Sequence, residues 1–193
     1  MGETLRRMNQ DVLRVCAMSR ERWWARALAC LRSPGLHAIL VARFGHWLQK
    51  RNVLVRLLLE PWYSLLYRHM RTAWGIEISR SCQIGAGLYI GHFGGIIVSP
   101  QAKIGCNMCI SQGVTIGVSG RGEKWGAPEI GDDVYIGAGA KVIGKIHVGN
   151  NVKIGANTVV YEDIPDNAVA AAPGYRIISY KGNRRPCVGP DGL

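Results

Sequence analysis

A branched aliphatic residue returns every six positions along the middle of this chain, and glycine often follows it. The spacing departs from six twice, between Ile96 and Val98 and between Ile116 and Ile130. The full series is Ile78, Ile84, Ile90, Ile96, Val98, Ile104, Ile110, Ile116, Ile130, Ile136, Val142, Val148, Ile154 and Val160. A period of six fits neither an α-helix nor an alternating strand, so the pattern indicates an internal hexapeptide repeat.

Such a repeat predicts a mainly β fold, a parallel β-helix in which three six-residue units complete one triangular coil. The aliphatic side chains point inward and stack on their counterparts about 18 residues later, which builds an apolar column that no single repeat can bury. Glycine after the aliphatic residue permits a tight or left-handed corner where a β-carbon would collide. A sandwich of short strands, the alternative fold, would show alternation with a period of two.

Three helical segments precede the repeats. Apolar residues at helical spacing predict helices over Thr4–Arg32, Leu36–Gln49 and Val53–Trp74, and Ser33-Pro34-Gly35 separates the first two. Charged residues and a proline interrupt the third segment, so no uncharged run reaches the roughly 18 residues that a membrane span needs.

Positive charge is concentrated in this helical region. The 193-residue chain has a formal charge of +11, and residues 1–75 contain thirteen Lys and Arg against four acids, whereas the remainder contains eleven against nine. Two interpretations stay open: the helices pack on each other and on the β-helix, or they also form a basic, aromatic surface in peripheral contact with a membrane. A nucleic-acid partner is not expected, because no binding motif accompanies the charge.

No export signal is recognisable in residues 1–22, which predicts a cytoplasmic protein, with peripheral attachment at the inner membrane as the variant that the basic helices allow. The six cysteines are therefore expected to be reduced thiols. Cys106 and Cys109 form a lone C-x-x-C, which does not predict zinc without a second pair or suitably spaced histidines. We expect no metal.

The long spacing between Ile116 and Ile130 requires a loop outside the prism, which we place at residues 118–129. Projecting loops often determine specificity, so two roles stay open: a substrate or cofactor lid, and a length-tolerant surface loop. Residues 161–176 are expected to cap the column after the last repeat. The predicted organisation is a basic helical region at 1–75, a β-helix domain at 76–179 and a flexible C-terminal tail at 180–193.

His92 is the candidate general base. It lies in a glycine-rich stretch, Gly91-His92-Phe93-Gly94-Gly95, that lets other groups approach the ring, and an unperturbed imidazole titrates near pH ~6.5. Glu77 lies fifteen residues earlier, on the adjacent coil and around the same corner. Its carboxylate is placed to accept the imidazole N–H and to stabilise the imidazolium. The alternative is a solvent-facing histidine without a role.

Several longer motifs accompany these residues: G-H-F-G-G-I-I-V, Q-G-V-T-I-G, I-G-A-G-A-K-V-I-G and the closing A-P-G-Y-R. Together with the N-terminal helices they resemble the serine acetyltransferase branch of the hexapeptide acyltransferases, over roughly residues 36–179. The resemblance implies a left-handed parallel β-helix, a homotrimer or dimer of trimers with active sites between subunits, and transfer of acetyl from acetyl-CoA to a hydroxyl. It implies catalytic roles for His92 and Glu77 and acetyl-CoA contacts at Gly117, Ala138, Ala156, Arg176 and Lys181.

Departures from the serine acetyltransferase pattern affect the expected acceptor. That family has Asp-His where this chain has Gly91-His92, and Arg-His-Pro where this chain has Gly126-Ala127-Pro128; there the Arg and His bind the amino-acid carboxylate. Losing such a charge-assisted contact commonly costs about 1.5 to 3 kcal/mol. Together with Glu77 and the short basic helical region, these features resemble acetyltransferases of bacterial exopolysaccharide pathways. The sequence therefore predicts a saccharide or lipid-linked saccharide acceptor.

Two other functions stay open. Serine O-acetylation in cysteine biosynthesis is favoured by the overall similarity and by the C-terminal Asp191-Gly192-Leu193, which resembles the Asp-Gly-Ile tail that docks into the sulfhydrylase partner of that family. A non-enzymatic scaffold that trimerises or binds membrane explains the column and the basic helices. It gives no reason for Glu77 and His92 to lie one coil apart.

Overall fold

The computed structural model describes residues 2–18, 24, 28 and 30–174 of the chain. The helices with defined bounds are α1 (Gly2–Met18), α2 (Pro34–Gln49) and α3 (Val53–Ala73). They confirm the predicted N-terminal helical region. No helix in the described part of the chain is long and apolar enough to cross a membrane.

Side-chain caps set the starts of two helices. Ser33 Oγ accepts a hydrogen bond of 3.2 Å from the Leu36 N–H, and Pro34 occupies the first turn of α2, where its missing N–H costs nothing. The helix therefore begins two residues earlier than the apolar pattern alone suggests. Asn52 Oδ1 accepts from the Val55 N–H at 3.1 Å in the same way, and α3 then continues through Pro61.

Short parallel strands follow the helices and stack in three sheets. The strands are β1 (Ile76–Ile78), β2 (Gln83–Ile84), β3 (Tyr89–Ile90), β4 (Ile96–Val98), β5 (Lys103–Ile104), β6 (Cys109–Ile110), β7 (Thr115–Gly117), β8 (Glu129–Ile130), β9 (Tyr135–Ile136), β10 (Lys141–Ile143), β11 (His147–Val148), β12 (Lys153–Ile154), β13 (Val159–Val160) and β14 (Val169–Ala170). Sheet A has the order β1-β4-β7-β10-β13, sheet B has β2-β5-β8-β11, and sheet C has β3-β6-β9-β12-β14. The chain visits A, B and C in turn, which makes a parallel β-helix of about five coils and confirms the predicted fold.

The core of the prism is the column that the repeat predicts. All fourteen aliphatic positions are buried, with at most 8% of any side chain exposed. Val142 pairs with Val160, eighteen residues later, as the period requires. The first coil is longer, because Glu77 pairs with Ile97, twenty residues later.

Glycine serves the corners in two separate ways. A β-carbon on Gly105 would lie 2.6 Å from the backbone of Gly131 on the next coil, although the φ of Gly105 is not positive. Gly113, at a different corner, has a φ of 72°. Gly105, which follows the aliphatic residue, is therefore needed for space, whereas the left-handed backbone falls on other corner residues such as Gly113.

A buried ion pair fastens the helices to the first coil. Arg43 on α2 pairs with Asp11 on α1, with 3.0 Å between Nε and Oδ2. Arg43 also donates to the carbonyls of Ile84 and Gly85, while Asp11 accepts from the N–H of Gly87 at 2.8 Å. These backbone groups of the first coil have no preceding coil to pair with, and side chains of the helices supply their hydrogen bonds instead.

The other end of the column closes with a partial coil. Ile164 forms a parallel bridge with Val148 and thereby extends sheet B, and β14 completes sheet C against β12. These residues cover the end of the last full coil, as predicted for the cap. Residues 175–193, including the predicted flexible tail, lie outside the described part of the chain.

Candidate functional site

His92 lies on an enlarged corner of the prism between sheets C and A. Ile90 pairs with Ile110, and Ile97 pairs with Thr115, so seven steps along the first coil face five steps along the second. The two extra residues fall within the corner that contains His92. These two residues account for the irregular spacing of the repeat at this point. The His92 imidazole is exposed to solvent.

Glu77 belongs to the same corner, one coil below. It is the outward-facing residue of β1, between two buried isoleucines. The residue that leads into β1 is Gly75, which stacks under the His92 corner: a β-carbon there would lie 3.1 Å from Gly95 N and 3.4 Å from Gly94 Cα. The glycines keep the two coils in close contact at this corner.

The carboxylate of Glu77 is paired with Arg71, in the last turn of α3. Arg71 Nε lies 3.2 Å from Glu77 Oε2, and roughly half of each side chain is exposed. Within the described residues, neither Glu77 nor His92 makes a side-chain hydrogen bond to the other. The predicted carboxylate–imidazole contact therefore stays a prediction that needs a change of side-chain rotamers.

An open groove of about 680 Å³ lies between α3 and sheet A beside this pair. Tyr67 stacks under the Arg71 guanidinium, with 5.8 Å from Cζ to the ring centre. Burial raises the pKa of Tyr67, the Glu77 carboxylate adds to the rise, and Arg71 opposes it. The groove is lined by Tyr63, Ser64, Tyr67, Arg68, Arg71, Thr72, Gly75, Glu77, Gly95, Ile96 and Ile97.

Two residues predicted to contact acetyl-CoA lie on the same edge of the prism as His92. Ala138 and Ala156 occupy successive coils of the corner between sheets C and A, and the Asn157 N–H donates to the Ala138 carbonyl at 2.8 Å. Ala156 is three coils beyond His92, which is about 14 Å at the usual strand spacing. Gly117 is separate from them, because it ends β7 at the opposite edge of sheet A.

The loop at residues 118–129 is a small folded hairpin at that opposite edge. Ser119 and Gly126 exchange both backbone hydrogen bonds, at 3.0 and 3.1 Å. Residues Gly122–Lys124 form one 3₁₀ turn, and Lys145 donates to the Glu123 carbonyl at 3.3 Å. The loop and His92 thus leave the prism at different edges of the same subunit, so a role as a lid over His92 stays a prediction.

Several predicted positions lie outside the described residues. Arg176, Lys181 and the C-terminal Asp191-Gly192-Leu193 are among them. Within the described ranges, no three His, Cys, Asp or Glu side chains are grouped as a metal ion would need. Cys106 and Cys109 are both free thiols there.

Sequence reasoning missed the contribution of α3 to this site. Arg71 and Tyr67 were assigned only to a basic amphipathic helix, yet both face the catalytic acid candidate. The available signal was spacing: Arg71 precedes Glu77 by six residues, and the helix ends between them at Ala73. A helix that stops just before a strand places its last turn beside that strand.

Comparison with protein families and known sequences gives consistent matches. Residues 127–162 match the family described as bacterial transferase hexapeptide (six repeats). A serine acetyltransferase of Helicobacter pylori is 38% identical over 172 residues, which cover 88% of this chain and 94% of that protein. A serine acetyltransferase of Mycobacterium tuberculosis is 36% identical over 156 residues, or 81% of this chain and 64% of that protein.

Solved structures agree. Serine acetyltransferase isoform 3 of Entamoeba histolytica in complex with cysteine superposes with a TM-score of 0.73 at 28% identity. The match covers 93% of this chain and 61% of that one. The Neisseria gonorrhoeae serine acetyltransferase in complex with serine gives 0.71 at 30% identity, covering 88% of this chain and 66% of that one.

These relatives correct the predicted function. The prediction of a saccharide acceptor in exopolysaccharide biosynthesis is wrong, since the relatives and structural neighbours are serine acetyltransferases. One of its arguments was the short helical region. The Helicobacter pylori protein is matched over 94% of its own length, so a short helical region also occurs among serine acetyltransferases. Peripheral membrane contact, which was predicted from the basic, aromatic helices, is not supported either.

The remaining comparisons concern the class of protein. The prediction of an acyltransferase enzyme is confirmed by the relatives and by the hexapeptide family match. The relative from Helicobacter pylori exceeds 30% identity over almost its whole length, and the β-helix agrees with solved members. This chain therefore belongs to the serine acetyltransferase family of hexapeptide-repeat acyltransferases.

Proposed function

We propose that this protein transfers the acetyl group of acetyl-CoA to the hydroxyl of L-serine. The observation that supports this most directly is the 38% identity to a serine acetyltransferase along 94% of that relative. The geometry supports it as well, because a histidine and a carboxylate flank one glycine-lined corner. The neighbour that superposes at 0.71 was solved in complex with serine.

In the proposed reaction His92 is the general base. The serine oxygen attacks the acetyl carbonyl carbon while His92 takes the hydroxyl proton, and Glu77 stabilises the imidazolium that results. The tetrahedral intermediate then collapses and breaks the carbon–sulfur bond. The CoA thiolate leaves and takes the proton from His92, which gives O-acetylserine and CoA and restores the neutral imidazole.

Acetyl-CoA is proposed to bind along the glycine-rich edge of the prism. Ala138 and Ala156 line this edge beyond His92, and their small side chains allow a ligand to approach the backbone. Gly117 lies at the opposite edge of sheet A and would contact the acetyl-CoA of a neighbouring subunit in the proposed trimer. Arg176 is retained as a proposed acetyl-CoA contact, and Lys181 as a proposed contact to the nucleotide phosphates.

The proposed assembly is a homotrimer, or a pair of trimers, as is typical of hexapeptide-repeat β-helix acyltransferases. One face of α3 supports subunit contacts, since its apolar side chains are 61–77% exposed: Leu54, Leu57, Leu58, Trp62 and Leu65. In such an assembly the hairpin at 118–129 of one subunit would be able to reach the His92 corner of the next. The division of the chain at residues 75 and 179 also stays a proposal.

The test is direct identification of the product. Purified protein is incubated with acetyl-CoA and L-serine, and the mixture is analysed by mass spectrometry for O-acetylserine. Formation of that product in equal amount to released CoA supports the proposal. Hydrolysis of acetyl-CoA without an acetylated amino acid contradicts it.

A further inference from the structure

We propose that Arg71 binds the carboxylate of the amino-acid acceptor with its terminal nitrogens while its Nε holds Glu77. This inference rests on the proposed function, because it concerns the acceptor L-serine. It assigns a specificity-determining role to a residue of α3, outside the β-helix. One side chain would then position both the Glu77 carboxylate and the acceptor.

The contacts of Arg71 leave the required atoms available. A guanidinium has five N–H donors in a fixed planar fork. The shortest contact between Arg71 and Glu77 joins Nε to Oε2, at 3.2 Å, and the Arg71 side chain is 52% exposed. Nη1 and Nη2 have no hydrogen-bond partner among the described residues. Two parallel N–H groups match the two oxygens of a carboxylate, which is the bidentate geometry that arginine favours.

The guanidinium is also held in place. The Tyr67 ring lies 5.8 Å from its Cζ on one side, within the range of a cation–π contact. Together with the Glu77 contact, this limits the orientations that the fork samples. A fixed fork loses less conformational entropy when a ligand carboxylate binds.

The charge of the groove favours an anionic ligand. Its lining contains two arginines, Arg68 and Arg71, against the single carboxylate of Glu77. A carboxylate that enters the groove therefore brings the local charge to balance. The groove extends to Gly95, which is three residues from His92 along the chain.

Gly126 and Ala127 provide no cation for this purpose. Gly126 has no side chain, and a β-carbon there would lie 2.9 Å from the Lys145 Cβ. The neighbouring Ala127 is apolar and packs against the core. The cations of the same hairpin, Arg121 and Lys124, leave the prism at a different edge from His92, whereas α3 places Arg71 beside Glu77.

The experiment compares two acceptors that differ in one charge. The catalytic efficiency kcat/KM is measured for L-serine and for L-serinamide, whose carboxylate is a neutral amide, with the wild type and with Arg71→Gln, Arg71→Lys and Arg68→Gln. The measured quantity is the ratio of the two efficiencies. Loss of Glu77 positioning lowers both efficiencies together and leaves the ratio unchanged, whereas loss of a carboxylate contact lowers the ratio.

The expected result is a fall of the ratio by about 10- to 100-fold in Arg71→Gln, which is the usual range for a lost charge-assisted contact. Arg71→Lys should retain part of the preference, and Arg68→Gln, which removes groove charge but no proposed contact, should lower the ratio less than Arg71→Gln does. An unchanged ratio in Arg71→Gln, or a collapse in Arg68→Gln instead, overturns the assignment while leaving serine acetylation intact. A wild type that does not acetylate L-serine overturns the proposed function, and the role of Arg71 with it.

Discussion

Arg43 Nε lies 3.0 Å from Asp11 Oδ2, and this pair joins two helices to the first coil of the β-helix. Asp11 is completely buried, and Arg43 is only 7% exposed. Removing one partner of such a pair leaves the other as an uncompensated buried charge. The N-terminal helices therefore depend on this contact for their position, and so does the groove that α3 forms with sheet A.

Asp11→Asn should lower the free energy of unfolding by about 3 to 5 kcal/mol, the usual cost of breaking a buried ion pair from one side. Urea unfolding followed by far-UV circular dichroism measures the change. The matched control is Glu3→Gln, which removes the exposed pair between Glu3 and Arg7 on the same helix. Exposed pairs contribute little, so this variant should resemble the wild type. Equal stability of the two variants would contradict the role given to Asp11.

His92→Ala should reduce kcat by about 10²- to 10⁴-fold, which is what a general base typically contributes. Sedimentation should show the same oligomer as the wild type, because the imidazole is exposed and packs in no core. His147→Gln is the control, since His147 faces outward on sheet B. Near-normal turnover by His92→Ala would remove His92 from the proposed mechanism.

Gly117→Ala tests whether Gly117 affects acetyl-CoA binding without affecting stability. A β-carbon at Gly117 would meet only ordinary contacts, at 3.6 Å from Thr115 and 3.7 Å from Ile143. The variant should therefore unfold at the same temperature as the wild type and show a higher KM for acetyl-CoA. Unchanged kinetics would exclude close approach of the ligand to Gly117.

Gly113→Ala is the structural counterpart of that variant. Gly113 has a φ of 72°, and its β-carbon would lie 3.3 Å from Gly139 Cα on the next coil. A left-handed backbone costs a side-chain-bearing residue about 1 to 2 kcal/mol, so the melting temperature should fall. A stable Gly113→Ala variant would mean that this corner tolerates side chains.

Stability should fall as the pH rises above about 9. Burial raises the pKa of Cys82 from 9.0 to about 12, and the charge of Arg43 opposes the rise. Between these values the unfolded chain loses the thiol proton while the folded chain keeps it, so higher pH favours unfolding. Burial raises the pKa of Tyr63 to about 12 as well, and the tyrosine acts in the same direction above pH 10.

Cys82→Ala tests the thiol part of this pH dependence. Unfolding free energies of the variant and the wild type are measured from pH 8 to pH 11, and only their slopes are compared. The variant should lose less stability between pH 9 and pH 10. Parallel slopes would assign the pH dependence to other groups.

The β-helix was predictable because the residues of its core recur every six positions along the sequence. Every aliphatic position of the repeat is buried, and the slip between Ile96 and Val98 marks the enlarged corner at His92. The groove was not predictable in the same way. Arg71 reaches Glu77 only through the docking of α3 on sheet A, which depends on tertiary contacts that no local pattern encodes.

The acceptor was predicted wrongly for a related reason. Gly126 and Ala127 were interpreted as the loss of a carboxylate site, on the assumption that the cation must occupy those positions. The structure places Arg71 beside Glu77 and Arg68 in the same groove, so a cation is available from a different element. Residue types at one position do not exclude a charge supplied by another part of the fold.

The most direct measurement is the rate of CoA release from acetyl-CoA with and without L-serine, for the wild type and for His92→Ala. Serine acetylation predicts that L-serine raises the wild-type rate by orders of magnitude, that O-acetylserine accumulates in equal amount, and that His92→Ala abolishes the increase. A wild-type rate that does not respond to L-serine would contradict the proposed function.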